Sequence, residues 1–159
     1  RASGYTIADT ISVSAWTMQW IVEFDAFAAA NANPDLEPAL FSDWANGYLR
    51  IPVSASGVRV AVFGSTPTAY VPLLAATKYC IQAKLSGGTA YVRVNGGAWT
   101  SAASVNIGGT AGAPAFGTNL NGSALVNGRF AQIAMANTAF SDATLDGTYA
   151  HAQANYAVP

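Results

Sequence analysis

Between Trp16 and Asp25 the chain alternates between large apolar and polar side chains, a pattern that suits a β-strand and not a helix. Apolar residues occupy every second position: Trp16, Met18, Trp20, Val22 and Phe24. The polar set between them is Thr17, Gln19, Glu23 and Asp25, and Ile21 alone departs from it. Because successive side chains of a strand point to opposite faces, we expect a half-buried strand with Trp20 and Phe24 in the core.

Two further pairs of segments flank short turns and are predicted hairpins. The first pair is Leu49–Val53 with Val58–Val62, and the second is Tyr79–Leu85 with Thr89–Val94. The second hairpin is followed by the tight turn Asn95–Gly97.

Elsewhere Ile7–Ala15 also alternates, Ala28–Pro38 has the composition of a loop, and Arg129–Ala136 is a predicted last strand. Gly108–Gly128 holds six of the fifteen glycines, so loops around short strands are expected there. Repeated short strands with turn residues between them predict an antiparallel β-sandwich.

The C-terminal region begins a predicted short helix, with Ser141 as N-cap and an end near His151. No internal repeat or composition change divides the chain, so one domain over residues 1–159 is predicted. The chain opens at Arg1 rather than at a methionine, from which we expect it to be part of a longer or processed chain.

Low charge narrows the range of partners. Only 9% of the residues are charged, and seven Lys and Arg against eight Asp and Glu give a net charge of -1. A chain without a positively charged surface is a poor nucleic-acid binder. No run of 18 apolar residues is present, so no membrane insertion is expected. The single Cys80 has no intramolecular partner, and a buried thiol is expected.

A resemblance comes from the back half of the chain. Gly128–Ser141, GRFAQIAMANTAFS, follows the turn Val94-Asn95-Gly96 and a glycine-rich stretch. This order resembles the LamG-like and pentraxin-like jelly rolls, where a YVNG turn precedes G-x-I-x-x-V-x-I-x-N-x-A-L-S and a short helix. The positions in step are Phe130, Ile133, Met135, Asn137, Ala139, Phe140 and Ser141. The resemblance implies an all-β, two-sheet antiparallel jelly-roll sandwich, concanavalin A-like, with a short C-terminal helix. It implies a fold and not an activity.

Catalysis is not expected. Laminarinase-type hydrolases share the implied fold, and retaining hydrolysis needs two carboxyls about 5 Å apart. Glu23 and Asp25 share a strand face, but the next position on that face is Phe27 and position 28 is alanine, so the second glutamate of that motif is missing. A solvated polar face is the favoured interpretation. His151 is the only histidine and is expected at the helix C-terminus, near the negative end of its dipole.

No metal site and no cofactor are predicted, because the acidic residues are scattered along the chain. Some relatives of the implied fold bind calcium through clustered carboxylates and carbonyls. Asp35 and Glu37 form the nearest acidic pair in a loop, and one weak calcium ion there stays an open alternative.

Glycan binding is the open binding hypothesis, because uncharged sugars offer apolar faces to aromatic rings and hydroxyls to amides. The candidate contacts are Trp44, Tyr48, Trp99 and Asn95, which lie in or near loops. The alternative is that Trp44 and Trp99 cap the rim of the sandwich.

The sequence therefore predicts a non-catalytic surface or adhesion module. The first hypothesis is a phage virion domain, in a capsid decoration or a tail fibre, because the composition is low in charge and rich in Ala, Gly, Thr and Asn. The alternative is a carbohydrate-binding module of a secreted bacterial protein. Both place the domain on a virion surface or outside a cell, with glycans or other surface proteins as partners.

Overall fold

A computed structural model of the chain describes residues 5–6, 15–31, 37–42, 49–62, 65–103, 115–118 and 124–159. The strands are β1 (Tyr5–Thr6), β2 (Trp16–Phe24), β3 (Ala39–Ser42), β4 (Leu49–Ser54), β5 (Gly57–Val58), β6 (Ala61–Val62), β7 (Lys78–Ser86), β8 (Thr89–Val94), β9 (Thr100–Ala103), β10 (Ala115–Phe116) and β11 (Gly128–Ala136). A single helix, α1 (Asp142–Tyr156), follows β11 in the described part of the chain.

The strands form two antiparallel sheets. One has five strands in the order β11, β2, β7, β8, β9, and we call it the helix-bearing sheet. The second sheet has six strands, in the order β1, β10, β3, β4, β5 with β6 beside β4. The predicted all-β, two-sheet sandwich with a C-terminal helix is confirmed. The short strand β3 was not expected from the sequence.

The core lies between the two sheets and is formed by the apolar positions of the alternating strand. Trp16, Met18 and Trp20 have no exposed surface, and Phe24 is 1% exposed. From the second sheet, Ile51 packs into the same cluster. The predicted burial of Trp20 and Phe24 is confirmed.

Ile21, the exception in the alternation, lies on the other face of the same strand. There it packs against Cys80 of β7 and against Ala152 and Val158 from the helical C-terminal region. A helix covers this outer face, so β2 is buried on both sides along most of its length, and the prediction of a half-buried strand was wrong there. The predicted buried thiol at Cys80 is also confirmed, at 1% exposure.

Strand β11 contains a bulge. Phe130 pairs with Val22 and Gln132 pairs with Ile21, so Ala131 is an extra residue. The bulge changes which face the following residues occupy. As a result Phe130, Ile133 and Met135 all pack against the core, although their spacing does not follow a period of two.

The second predicted hairpin is observed as β7 and β8, joined by Gly87 and Gly88, both with positive φ. Such a two-residue turn matches the twist of the strands. The first predicted hairpin is correct only in its first half. Its second segment splits into β5 and β6, both of which pair with β4. The interruption lies at Arg59 and Val60, where the Val60 N–H donates to the Thr68 hydroxyl at 3.0 Å.

Ser141 is the N-cap of α1, as predicted, and its Oγ accepts a hydrogen bond from the Thr144 N–H at 3.2 Å. The helix is longer than predicted and ends at Tyr156, before Ala157 in a left-handed conformation. The expected position of His151 at the helix C-terminus was wrong, because a further turn follows it. The predicted strand Ile7–Ala15 falls almost wholly outside the described residues.

Candidate functional site

The outer face of the helix-bearing sheet carries a group of polar and charged side chains that are buried in the described structure. Four polar or charged side chains of this face are nearly buried beneath α1: Gln19 (7% exposed), Gln82 (0%), Lys84 (9%) and Arg93 (4%). Together with Asp142, Asp146 and Thr148 of the helix they form what we call the polar layer. Buried polar groups are stable only when they are hydrogen-bonded or paired, so the partners of each one matter.

Gln82 is the centre of the polar layer. Its Oε1 accepts a hydrogen bond from Arg93 Nε at 2.7 Å. Its Nε2 lies 2.8 Å from Gln19 Oε1, 2.8 Å from the Leu145 carbonyl and 2.9 Å from Thr148 Oγ1. A primary amide has two N–H groups, so these three acceptors share two donated hydrogens. The side chain thus ties β2, β7, β8 and α1 together.

The network also fixes which way each amide points. Arg93 can only donate, so the Gln82 oxygen must face it. The Gln82 nitrogen then faces Gln19, whose oxygen accepts from Gln82 and, at 2.7 Å, from Thr148 Oγ1. The Gln19 nitrogen consequently points away from the network, and it has no acceptor among the described residues.

Two ion pairs join the helix to the sheet. Lys84 Nζ contacts Asp142 Oδ1, and Arg93 Nη2 lies 2.7 Å from Asp146 Oδ1. The second contact is an ion pair by distance, although its N–H geometry does not meet that of a hydrogen bond. The hydrogen bond from Lys84, more than any other cause, holds the pKa of Asp142 below its ordinary value. Both carboxylates are mostly exposed, so these pairs contribute to helix docking only modestly.

Trp99, a predicted glycan contact, lies beside this cluster. Lys84 Nζ is 4.8 Å from the Trp99 ring centroid, and the Arg93 guanidinium carbon is 4.4 Å from it. Tyr91 meets the ring edge to face, with centroids 6.1 Å apart. Cation–π contacts of this kind hold the indole in one orientation. Trp99 keeps part of its surface exposed.

Asn95, another predicted contact, is used in the turn after β8. Its Oδ1 accepts a hydrogen bond from the Cys80 N–H at 2.8 Å, and its own N–H donates to the Cys80 carbonyl at 2.8 Å. Asn95 and Trp99 both lie in the short connection between β8 and β9. Trp44 and Tyr48, the other two predicted contacts, lie outside the described residues.

A groove runs between α1 and the two strands β2 and β11, and we call it the α1 groove. It encloses a cavity of about 170 Å³. Its lining includes Gln19, Gln132 and Thr148 as polar groups, with Ala134 and Leu145 among the apolar ones. Gln132 Oε1 is buried and has no hydrogen-bond partner in the described structure.

A second cavity, of about 210 Å³, lies at one end of the sandwich. It is lined largely by apolar groups, including Phe24, Phe27 and Leu125. Asn127 is the one polar side chain in its lining, so it offers fewer hydrogen-bonding side chains than the α1 groove despite its slightly larger size.

Glu23 and Asp25, considered above for catalysis, both contact one cation. Arg129 Nη2 lies 3.1 Å from Glu23 Oε1 and 3.2 Å from Asp25 Oδ1. All three side chains are at least partly exposed. The two acids thus form a cross-strand ion-pair cluster at the surface, in agreement with a solvated polar face.

Glu37, half of the acidic pair considered for calcium, is enclosed by donors. Its Oε1 accepts hydrogen bonds from the Tyr70 hydroxyl at 2.8 Å and from the Asn31 N–H at 2.9 Å. Its Oε2 lies 3.1 Å from Arg59 Nη2. Burial, and then the nearby Glu37, raise the pKa of Tyr70. A cation at this carboxylate would have to displace Arg59, while Asp35 lies outside the described residues.

No cluster of three or more His, Cys, Asp or Glu side chains occurs among the residues that the structure describes. Within the same residues, no helix is long and apolar enough to cross a membrane.

The polar layer and Gln132 were not foreseen from the sequence. Gln19 lies on the polar side of the alternating strand, where a solvent-facing role is the usual expectation. The one available signal was Ile21, because an apolar residue on that side indicates that something covers it.

No model of a protein family and no curated protein matches the sequence. Solved structures do match. A heptameric SAP-like pentraxin from Limulus polyphemus matches with a TM-score of 0.66 and 13% identity, over 92% of this chain and 75% of the pentraxin. Trypanosoma rangeli sialidase matches with a TM-score of 0.66 and 12% identity, over 89% of this chain.

The match spans only 23% of the sialidase chain. The same sialidase bound to the inhibitor DANA matches with a TM-score of 0.62 and 13% identity, over 86% of this chain and 22% of that one. Identities this low show a shared fold and nothing about activity. The chain has the concanavalin A-like jelly-roll fold, which the resemblance had implied.

Proposed function

We propose that this domain is a non-catalytic adhesion module that binds glycans at a virion surface, in a capsid decoration or a tail fibre. The observation that carries the proposal is that the described acidic side chains are engaged in ion pairs. Each of the five described Asp and Glu side chains contacts an arginine or lysine: Glu23, Asp25, Glu37, Asp142 and Asp146.

General acid–base chemistry needs a carboxyl that is free to exchange a proton with a substrate. In the described structure, Asp142 has its pKa lowered by Lys84, which favours a permanently charged carboxylate. Glu37 is enclosed by Arg59 and Tyr70. The arrangement favours ion pairs that hold the sandwich together over residues that act on a substrate.

Glycan binding is supported by the kind of surface that the helix-bearing sheet presents. Trp99 offers an aromatic ring that is held in place, and the α1 groove offers amides beside apolar side chains. The groove lining contains no charged side chain. We therefore expect weak affinity that changes little with ionic strength, unlike the binding of a polyanion.

A second setting, a carbohydrate-binding module of a secreted bacterial protein, is favoured by the same partly exposed Trp99. It requires the same binding chemistry and differs in the parent protein. The low charge and the Ala, Gly, Thr and Asn content support the virion setting.

Two measurements test the proposal. Hydrolysis assays on laminarin, cellulose, xylan and peptidoglycan should give no turnover above background, and turnover that is lost in Glu23→Gln would overturn the proposal.

A glycan array should give binding that persists at high salt. Binding through the aromatic ring should weaken in Trp99→Ala, with Ser101→Ala, an exposed neighbour on β9, as the control. No binding to any glycan would reject the adhesion function as stated.

A further inference from the structure

The α1 groove places a buried, unsatisfied acceptor near a donor that the polar layer does not use. Gln132 Oε1 is buried without a partner, and the Gln19 nitrogen has no acceptor among the described residues. A buried acceptor left without a hydrogen bond costs free energy, so a ligand that supplies one gains more than it would from a solvated group.

The two amides sit at a defined spacing on neighbouring strands. Gln132 pairs with Ile21, and Gln19 is two residues along β2 on the same outer face. Diagonal neighbours of this kind lie about 7–8 Å apart between Cα atoms. Two long side chains at that spacing can reach one small group from both ends.

The orientation of the donor is determined by the polar layer. Arg93 fixes Gln82, Gln82 fixes Gln19, and the Gln19 nitrogen is thereby left for something outside the network. To face a ligand in the groove, Gln132 Oε1 needs only a rotation of its carboxamide, whose terminal torsion is soft. Gln132 is partly exposed, which leaves room for that rotation.

A secondary amide matches this pair, because its carbonyl accepts from Gln19 and its N–H donates to Gln132. The apolar part of the groove, which includes Ala134, Phe140 and Leu145, suits the methyl group of an acetamide. At about 30 Å³ for each water-sized group, a cavity of about 170 Å³ has room for five or six non-hydrogen atoms. That volume is enough for an acetamido group and the edge of a sugar ring.

From this pairing and volume we propose that the α1 groove is a binding site for the N-acetyl group of an amino sugar. The inference rests on the proposed glycan-binding function and names its ligand class. The groove is a different contact from Trp99, because β11 forms one edge of the sheet while Trp99 directly precedes β9 at the other.

The test uses ligand-detected saturation-transfer NMR on the full chain, with N-acetylglucosamine and glucose as matched probes. N-acetylglucosamine should bind, with the largest transfer at its acetamido methyl protons, and glucose should bind more weakly. Gln132→Met, which removes the acceptor and keeps the length, should weaken binding about 5- to 10-fold, as expected for one lost hydrogen bond.

Ala134→Leu should abolish binding by filling the groove. Ala131→Leu is its control, because Ala131 lies on the same strand but outside the groove lining. Ser101→Ala, at an exposed position on β9 at the far edge of the sheet, should leave the N-acetylglucosamine signal unchanged. Thermal melts of each variant exclude loss of the fold as the cause, and Gln132→Met keeps the test decisive if Ala134→Leu does not fold.

Three results would overturn the inference. Glycan binding that ignores the acetamido group and survives Ala134→Leu would reject the groove site and leave the proposed function standing. Equal binding of N-acetylalanine N-methylamide would reassign the groove to a peptide amide. An N-acetylglucosamine signal absent from the native chain would reject the site, and the glycan array then decides the wider function separately.

Discussion

Strand β2 is packed on both sides, and the two sides are built from different chemistry. On the inner side, Trp16, Met18 and Trp20 face the second sheet in an apolar core. On the outer side, Gln19 and its neighbours face α1 through a network of amides, hydroxyls and ion pairs. The first interface gains stability from removing apolar surface from water. The second depends on geometry, because each buried polar group must meet a partner.

The difference indicates a division of roles within one sheet. Apolar packing tolerates many sequences of suitable volume, so the inner side mainly supplies stability. The outer side determines where α1 docks and how the amide groups of Gln19 and Gln82 are oriented. The side chains of the outer side therefore determine the geometry of any binding surface next to α1.

The largest effect is expected on the inner side. Replacing the fully buried Trp20 with alanine should lower the free energy of unfolding by about 3–5 kcal/mol, because it leaves a cavity in the core. Denaturant unfolding followed by circular dichroism measures this. Leu74→Ala, at a side chain 72% exposed, is the control and should change little. Equal losses in the two variants would refute the burial assigned to β2.

The next effect is expected at the centre of the polar layer. Gln82→Leu keeps roughly the same volume but leaves Arg93 Nε without its acceptor and Gln19 Oε1 with Thr148 as its remaining donor, which should cost about 2 kcal/mol. The same unfolding measurement applies. In the double variant with Gln19→Leu the two losses should not add, since the residues share one network. Additive losses would mean that the amides act independently.

A smaller effect is expected from acid. The folded-state pKa of Asp142 lies below its ordinary value of 3.8, mainly through the hydrogen bond from Lys84. Its contribution to stability is therefore present above that value and is lost as the pH falls through the lower folded-state pKa. Because the carboxylate is mostly exposed, we expect less than about 1 kcal/mol. The stability of Asp142→Asn should show a flatter dependence on pH over that acidic range.

The last effect concerns the reactivity of Cys80 toward a thiol reagent and not the free energy of unfolding. Burial raises the pKa of its thiol to about 12, so a thiol reagent at neutral pH should not react with the folded protein. Reaction therefore reports the opening of α1. Gly96→Ala should speed it, because an added Cβ would lie 2.5 Å from the Tyr149 ring that packs there. Fast reaction in the unchanged protein would mean that the helix does not protect this face.

The alternating strand, the β7–β8 hairpin and the N-cap of α1 could be predicted because each follows from local rules of periodicity and turn chemistry. The split of Val58–Val62 into two strands could not, since it depends on Thr68 reaching back to Val60. The polar layer was missed for a similar reason. Gln19 and Gln82 look like surface residues until the helix that follows much later in the chain is placed over them.

The bulge at Ala131 also limits how this gene can vary. The strand can accept many single substitutions, since several of its positions are exposed. Deleting Ala131 would remove the bulge and leave Gln132 opposite Ile21 and Ile133 opposite Trp20, so the residues that follow would keep their faces. Inserting one more residue into the strand would instead turn Ile133 and Met135 away from the core unless a second bulge formed. Natural variants that lack the bulge residue should therefore keep the same core, whereas insertions should fall in the loops on either side of β11.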